Sequence, residues 1–148
     1  MDTKTELFII DDYQPLRDVL ADALGAEGFR VITFAGGRAA LDALEAGARP
    51  AVVVLDWCMP EMTGAELVGE LARRRWPLRV VVLSAAKVDR EACTGVDAVL
   101  SKPCPVPTLL ATLRRAITRG ERARDLGGPG VARCSRAAPT RTVSALAG

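Results

Sequence analysis

The sequence predicts an α/β fold in which a doubly wound, five-stranded parallel sheet occupies about residues 5–119. Short β-rich apolar runs alternate with longer stretches of helical spacing, which is typical of parallel strands joined by right-handed crossovers. The run Val52–Leu55 is apolar without alternation, as is typical of a central strand covered on both faces. The 148 residues are 49% hydrophobic, so one domain of this kind has enough apolar side chains for a sizeable core.

Each element is predicted from its own pattern. Five runs rich in β-branched and other apolar residues are predicted as strands: Leu7–Ile10, Phe29–Phe34, Ala51–Leu55, Val80–Leu83 and Ala98–Leu100. Four helices are predicted from apolar faces, which comprise Leu16, Val19, Leu20, Ala23 and Leu24; Ala40, Leu41, Leu44 and Ala48; Ala65, Leu67, Val68 and Leu71; and Val106, Leu109, Leu110, Leu113 and Ile117. Only 13 residues separate Ser84 from Ala98, so a further helix there, the fourth in chain order, is predicted to be shortened to two turns at most.

The composition excludes several kinds of chemistry. The chain has no His, which excludes catalysis, metal binding and phosphoryl carriage by imidazole. Its four Cys form no C-x-x-C pair, so we expect reduced thiols that pack as small apolar residues. The apolar run at residues 7–10 is too short for a signal peptide, and no run approaches the ~20 residues of a membrane-spanning helix. We therefore expect a cytoplasmic protein with no membrane partner.

Charge is divided unequally along the chain. Residues 1–113 carry 12 Lys and Arg against 16 Asp and Glu, whereas residues 114–148 carry 8 Arg against 2 acidic residues. The C-terminal segment also contains a Gly-Gly-Pro-Gly break at 127–130 and few large apolar residues, a composition typical of flexible chains. We therefore expect a basic, flexible tail over residues 120–148. Because its arginines lack interleaved aromatic residues, no specific nucleic-acid partner is expected.

Polar residues follow four of the predicted strands, at the edge where sheets of this kind bind ligands. They are Asp11 and Asp12 after the first strand, Asp56 after the third, Ser84 after the fourth and Lys102 after the fifth. Clustered carboxylates raise each other's pKa, and a divalent cation removes that repulsion. Oxygen donors without His or a Cys pair favour Mg²⁺. A lysine and a hydroxyl beside the metal suit a phosphoryl group, and a carboxylate there can act as a nucleophile.

The spacing of these residues resembles the receiver domain of two-component response regulators. The acidic pair precedes the run Asp56-Trp57-Cys58-Met59-Pro60-Glu61-Met62-Thr63-Gly64, which has the pattern D-x-x-M-P-x-x-x-G, and Lys102-Pro103 follows. The resemblance covers about residues 5–119 and implies a flavodoxin-like sheet of strand order 2-1-3-4-5. It also implies a phosphorelay protein rather than an enzyme that turns over an external substrate.

The resemblance implies a role for each residue at this edge. Asp56 would accept a phosphoryl group from a phosphohistidine on a sensor histidine kinase or histidine phosphotransfer protein. The Mg²⁺ ligands would be Asp12, Asp11, Asp56 and the backbone carbonyl of Cys58. The phosphoryl oxygens would be contacted by Ser84, Lys102 and the backbone N–H groups of Trp57 and Ala85. The following loop would be shaped by Met59, Pro60 and Gly64.

Three departures from the family pattern bear on signalling. Val99 stands where receivers usually carry Tyr or Phe, and it lacks the ring that moves inward in relatives. The shortened fourth helix removes part of a face that many receivers use for output. Cys104-Pro105-Val106-Pro107 replaces the usual Phe-Asp start of the last helix, and Pro is tolerated in a first helical turn.

Four functions are compatible with these features to different degrees. The leading interpretation is a stand-alone, phosphorylatable receiver that acts on an unknown downstream protein. The alternative is a receiver-fold protein-binding module with little or no phospho-switching. A dehalogenase-like phosphatase would need an Asp two residues after the nucleophile, where Cys58 stands. A DNA-binding regulator is disfavoured because no output domain is recognised in the sequence.

Overall fold

The computed structural model describes residues 4–89 and 91–125, which form five strands and four helices. The strands are β1 (Glu6–Ile10), β2 (Arg30–Phe34), β3 (Val52–Asp56), β4 (Arg79–Ser84) and β5 (Ala98–Ser101). The helices are α1 (Gln14–Ala26), α2 (Gly37–Glu45), α3 (Gly64–Arg74) and α4 (Val106–Asp125). Within the described residues, no helix is both long enough and apolar enough to cross a bilayer.

All five strands are parallel and pair in the order β2-β1-β3-β4-β5, which confirms the predicted sheet. Helices α1 and α4 pack on one face through residues such as Leu24 and Leu113. Helices α2 and α3 cover the other face through residues such as Leu41 and Leu67, so β3 is buried along its whole length. The strand order reverses between β1 and β3, and their carboxyl ends flank the crevice in which doubly wound sheets bind ligands.

The connection between β4 and β5 contains, among its described residues, a single 3₁₀ turn at Glu91–Cys93. This short element lies within the predicted limit of two helical turns. Cys93 anchors this turn in the core, and burial, with a smaller contribution from the charge of Asp89, raises the pKa of its thiol to about 11. Cys93 fits the expectation that the cysteines pack as small apolar residues, whereas Cys58 is exposed and does not.

One residue assigned to a buried helical face lies outside it. Val19 is 58% exposed, whereas Leu20 and Leu24 of the same helix are buried. Val19 lies at the margin of the apolar face of α1, where the helical period alone does not separate buried from exposed positions.

The last helix continues beyond the predicted boundary at residue 119 and extends to Asp125, the last residue that the structure describes. The extension is held by Arg79, whose guanidinium Nη2 donates to the carbonyl of Arg119 at 3.1 Å. The next residue, Gly120, allows this approach, because a Cβ there would lie 3.2 Å from the Arg79 Nε atom. The first part of the predicted tail is therefore helical, and residues 126–148 lie outside the described part of the chain.

Arg79 belongs to a buried ion pair at the amino end of β4. Its Nη1 atom lies 3.2 Å from Oδ1 of Asp97, and both side chains are almost fully buried. The other Asp97 oxygen accepts the backbone N–H of Val80 at 3.0 Å, and Arg119 lies 3.6 Å from Oδ1. We call Arg79, Asp97 and Arg119 the basal cluster, because they lie at the edge of the sheet opposite the predicted site.

Candidate functional site

Three carboxylates meet at the carboxyl edge of the sheet, where β1 and β3 end. Asp11 and Asp12 follow β1 directly, and Asp56 is the last residue of β3. One carboxylate oxygen from each of the three residues lies within 4.8 Å of the other two. Asp11 and Asp56 are buried, whereas Asp12 is exposed at the mouth of the cluster.

Lys102 joins the two buried carboxylates from the other side of the crevice. Its ammonium nitrogen lies 2.8 Å from Oδ2 of Asp11 and 3.2 Å from Oδ1 of Asp56. The backbone N–H of Lys102 donates to the carbonyl of Ser84 at 2.9 Å, which ties the residue after β5 to the end of β4. The Lys102–Pro103 peptide bond is cis.

The charges in this crevice do not balance, and the pKa directions reflect the imbalance. Burial and then the negative charge of Asp11 raise the pKa of Asp56, although Lys102 and the backbone N–H of Cys58 oppose the shift. Burial alone would lower the pKa of Lys102, but its hydrogen bond to Asp11 and the charges of Asp11 and Asp56 raise it instead. One ammonium group thus serves two buried carboxylates while a third stands beside them.

The donor set fits a hard divalent cation. The cluster offers carboxylate oxygens, and imidazole is absent from the whole chain. Mg²⁺ prefers a few carboxylate ligands and keeps several water molecules, which suits a cluster that is open at Asp12. A cation placed among these oxygens would also remove the repulsion from Asp11, which adds to the effect of burial in raising the pKa of Asp56.

Ser84 lies at the predicted edge, but its hydroxyl has a local partner. The hydroxyl donates to the carbonyl of Ala86 at 2.9 Å and accepts the Ala86 N–H at 3.1 Å. The side chain is buried at the end of β4, next to the strand that ends in Asp56. To contact a group bound at Asp56, the hydroxyl would exchange these two hydrogen bonds for a new one.

The loop after Asp56 is closely packed around Trp57. The backbone N–H of Trp57 donates to the carbonyl of Leu83 at 3.3 Å, and its own carbonyl accepts the N–H of Gly64 at 2.9 Å. Gly64 is required here, since a Cβ would lie 2.6 Å from the Trp57 ring. Cys58 and Ala85 are exposed on the two loops that rim the crevice.

The start of α3 fixes the far end of this loop. The Thr63 hydroxyl accepts the N–H of Glu66 at 3.2 Å, and the Glu66 carboxylate accepts the N–H of Thr63 at 2.8 Å. This reciprocal capping box satisfies two backbone donors of the first helical turn. Its T-x-x-E pattern is legible in the sequence.

Two contacts to Asp11 were not anticipated from the sequence. The backbone N–H of Tyr13 donates to Oδ1 of Asp11 at 2.9 Å, and Nη1 of Arg17 donates to its backbone carbonyl at 2.6 Å. The first is a turn contact that an Asp followed by polar residues allows. The second could not be predicted, because the sequence pattern does not encode the direction of the Arg17 side chain.

Fold and site together define a class of protein: a flavodoxin-like α/β domain with an acidic crevice at its topological switch point. Within that class, the chain belongs to the response regulator receiver domain family, whose model matches residues 7–114. Receiver domains are signalling modules of two-component systems that are phosphorylated by histidine kinases and bind Mg²⁺ in the acidic pocket.

Curated relatives are about one-third identical to this chain over the aligned region. The transcriptional regulatory protein KdpE of Mycobacterium tuberculosis is 33% identical over a 130-residue alignment that covers 84% of this chain and 56% of that protein. The transcriptional regulatory protein TcrA of the same organism is 36% identical over a 118-residue alignment that covers 77% of this chain and 46% of that protein. The chain thus spans about half the length of these relatives.

Solved structures share the fold. Full-length FixJ from B. japonicum has a TM-score of 0.76 and 30% identity, covering 84% of this chain and 63% of that one. The response regulator TrrA from Thermotoga maritima, solved in complex with Mg(2+)-BeF, has a TM-score of 0.70 and 24% identity and covers 77% of this chain and 99% of its own. At that identity, the likeness to TrrA shows the fold alone.

Proposed function

We propose that this receiver domain accepts a phosphoryl group on Asp56 in a Mg²⁺-dependent reaction. The donor is a phosphohistidine on a sensor histidine kinase or a histidine phosphotransfer protein. The observation that carries the proposal is the position of Asp56, which ends the central strand between a second buried carboxylate and Lys102. A carboxylate in such a setting is a suitable phosphoryl acceptor.

Phosphoryl transfer to Asp56 forms one bond to phosphorus and breaks another. A carboxylate oxygen of Asp56 forms a bond to phosphorus while the bond from phosphorus to the donor imidazole nitrogen breaks. The electron pair of that bond stays on the nitrogen, and a proton on the other ring nitrogen of the phosphohistidine lets the ring leave as a neutral imidazole. The resulting acyl phosphate lies beside Lys102, whose ammonium group is already within 3.2 Å of Asp56 and compensates part of the added charge.

The metal ligands proposed are Asp12, Asp11, Asp56 and the backbone carbonyl of Cys58. Bound there, Mg²⁺ supplies charge neutralisation for the phosphoryl oxygens. Asp11 has both carboxylate oxygens engaged, by Tyr13 and Lys102, whereas Asp12 is exposed. We therefore propose that Asp12 binds the metal directly and that Asp11 contributes through water or as a further ligand.

The phosphoryl contacts proposed are Lys102, the Ser84 hydroxyl and the backbone N–H groups of Trp57 and Ala85. Lys102 is already in place. Ser84 would first release Ala86, and the N–H of Trp57 would first release the Leu83 carbonyl. The uptake of phosphoryl is thereby coupled to rearrangement at the ends of β3 and β4.

One observation supports the alternative of a protein-binding module with weak switching. Val99 is only partly buried, and it packs against the core beside the short 3₁₀ connection. A cavity left by a moving Ser84 would not be filled by Val99 as it would by an aromatic ring. Backbone NMR shifts with and without beryllofluoride should therefore spread little through residues 86–100.

The direct test is phosphoryl uptake measured by intact mass. Incubation with acetyl phosphate and Mg²⁺ should add one phosphoryl group to the wild type and none to Asp56→Asn. Asp42→Asn, which changes an exposed carboxylate of α2, is the matched control and should be labelled like the wild type. Equal labelling of Asp56→Asn would overturn the assignment, and an unlabelled wild type would favour the binding module.

A further inference from the structure

Every hydrogen-bonding group of Asp11 has a partner in the structure. Its backbone N–H donates to the carbonyl of Phe34 at 3.1 Å, and its carbonyl accepts Nη1 of Arg17 at 2.6 Å. Its Oδ1 accepts the N–H of Tyr13 at 2.9 Å, and its Oδ2 accepts the ammonium group of Lys102 at 2.8 Å. Four segments of the fold therefore fix this one residue.

Asp12 follows Asp11 in the chain, but its carboxylate lacks comparable hydrogen bonds among the described residues. Its carboxylate is exposed, and within residues 4–89 and 91–125 no group donates a hydrogen bond to it. Its place near the other two carboxylates is therefore set by its backbone, and above all by the plane of the peptide that joins it to Asp11. The carbonyl of that peptide is the atom to which Arg17 donates.

We propose that Arg17 is a positioning residue for Asp12. The half-buried guanidinium on the first turn of α1 holds the Asp11–Asp12 peptide in one orientation through a charge-assisted hydrogen bond. That orientation keeps the Asp12 carboxylate beside Asp11 and Asp56, ready to bind a divalent cation. The inference rests on the proposed Mg²⁺-dependent function and adds a residue to its metal site.

Charge and positioning predict opposite effects when Arg17 is removed. A guanidinium beside an acidic site repels a cation, so a purely electrostatic role predicts tighter Mg²⁺ binding after substitution with a neutral residue. A positioning role predicts weaker binding, because the Asp12 carboxylate then samples orientations that do not face the other two ligands. The sign of the change in Mg²⁺ affinity therefore decides between the two.

The experiment is a Mg²⁺ titration followed by tryptophan fluorescence, because Trp57, one of the two tryptophans of the chain, adjoins Asp56. Arg17→Met keeps the apolar stem and should weaken Mg²⁺ binding roughly tenfold, the lower range for residues that orient metal ligands. Arg17→Lys keeps a charged donor and should recover most of the affinity. Arg38→Met, which removes the same charge from an exposed position on α2, should not weaken binding. Unchanged or tighter binding by Arg17→Met would overturn the proposal.

A double substitution tests whether Arg17 acts through Asp12. In an Asp12→Asn background, adding Arg17→Met should change the remaining affinity less than about twofold, because the residue it positions is no longer a ligand. A full additional loss would overturn the proposal. Thermal unfolding identifies folded variants, and Arg17→Gln replaces Arg17→Met if the latter does not fold.

Metal affinity is measured here without any phosphoryl donor. A wild type that binds Mg²⁺ with this pattern but takes up no phosphoryl group overturns the proposed function and leaves the role of Arg17 standing. If the wild type is phosphorylated but the substitution of Arg17 leaves its Mg²⁺ affinity unchanged, the role of Arg17 is overturned and the proposed function stands. A wild type that binds no Mg²⁺ overturns both.

Discussion

Both edges of the sheet bury charged side chains, but the balance of positive and negative charge differs between the two edges. In the basal cluster, one carboxylate, Asp97, meets two arginines and a backbone N–H. At the carboxyl edge, the one ammonium group of Lys102 serves two buried carboxylates, with a third at the mouth. The basal edge is a completed network that fastens α4, whereas the carboxyl edge carries excess negative charge.

The comparison shows how the fold divides stability from function. A satisfied buried ion pair holds its elements together, and removal of one partner leaves an uncompensated charge. A surplus of like charge costs stability until a cation or a proton removes it. The proposed Mg²⁺ site would use this surplus, whereas the network at the opposite edge fastens α4 to the sheet. The same substitution, Asp to Asn, should therefore have opposite effects at the two edges.

The largest effect is expected at the basal cluster. Asp97→Asn removes the carboxylate charge that pairs with the buried Arg79 and should lower the free energy of unfolding by about 3 kcal/mol. Urea unfolding followed by circular dichroism measures the loss. Glu6→Gln is the control, because the Glu6–Arg30 pair spans 3.7 Å at the surface and is worth less than about 1 kcal/mol. A loss at Asp97 no larger than the control would remove the distinction between the two edges.

Asp56→Asn should instead raise the free energy of unfolding, by about 1 kcal/mol at pH 7 without Mg²⁺. Burial and Asp11 raise the pKa of Asp56, so the folded state binds its proton more tightly than the unfolded chain does. Ionised Asp56 therefore costs stability as pH rises from its ordinary pKa of 3.8 through the raised value, and nothing well below both. The gain from Asp56→Asn should vanish as the pH falls through this window.

Urea midpoints measured from pH 7 downward test this sign. Asp42→Asn, at an exposed carboxylate, should show no comparable gain at pH 7. A destabilised Asp56→Asn protein would mean that its ion pair with Lys102 outweighs the repulsion from Asp11, and the carboxyl edge would then resemble the basal one.

The sequence predicted the carboxyl edge better than the basal edge, for a physical reason. Apolar runs locate the strands, and the residues that follow parallel strands lie at one edge of the sheet. Asp11, Asp56 and Lys102 could therefore be assigned to one site from the sequence alone. The basal cluster joins Arg79 and Asp97 through side-chain directions that no local pattern encodes. The same limit applies to Arg17, which reaches back to a carbonyl six residues earlier.

Helix α4 illustrates a second limit of sequence reasoning. The arginine-rich composition and the Gly-Gly-Pro-Gly break at 127–130 predicted a flexible tail from residue 120, yet the helix runs to Asp125. The helix includes Gly120 despite the low helix propensity of glycine, and the carbonyl of the preceding residue, Arg119, accepts a hydrogen bond from Arg79. A long-range contact of this kind is not encoded in the local sequence pattern.

The smallest effect expected is a difference between two helical glycines. At Gly69 of α3, an added Cβ meets no atom within 4 Å, so Gly69→Ala should gain the helix propensity of alanine, about 1 kcal/mol. At Gly120, the same Cβ would lie 3.2 Å from Nε and 3.3 Å from Cγ of Arg79, and the buried guanidinium must shift to make room. Since Arg79 is held by Asp97 and by the Arg119 carbonyl, that shift should consume the gain and leave Gly120→Ala near the wild type or slightly below it. Urea midpoints of the two variants, measured side by side, test this difference. An equal gain in stability at both positions would show that Arg79 moves freely and that the basal cluster is less rigid than its contacts indicate.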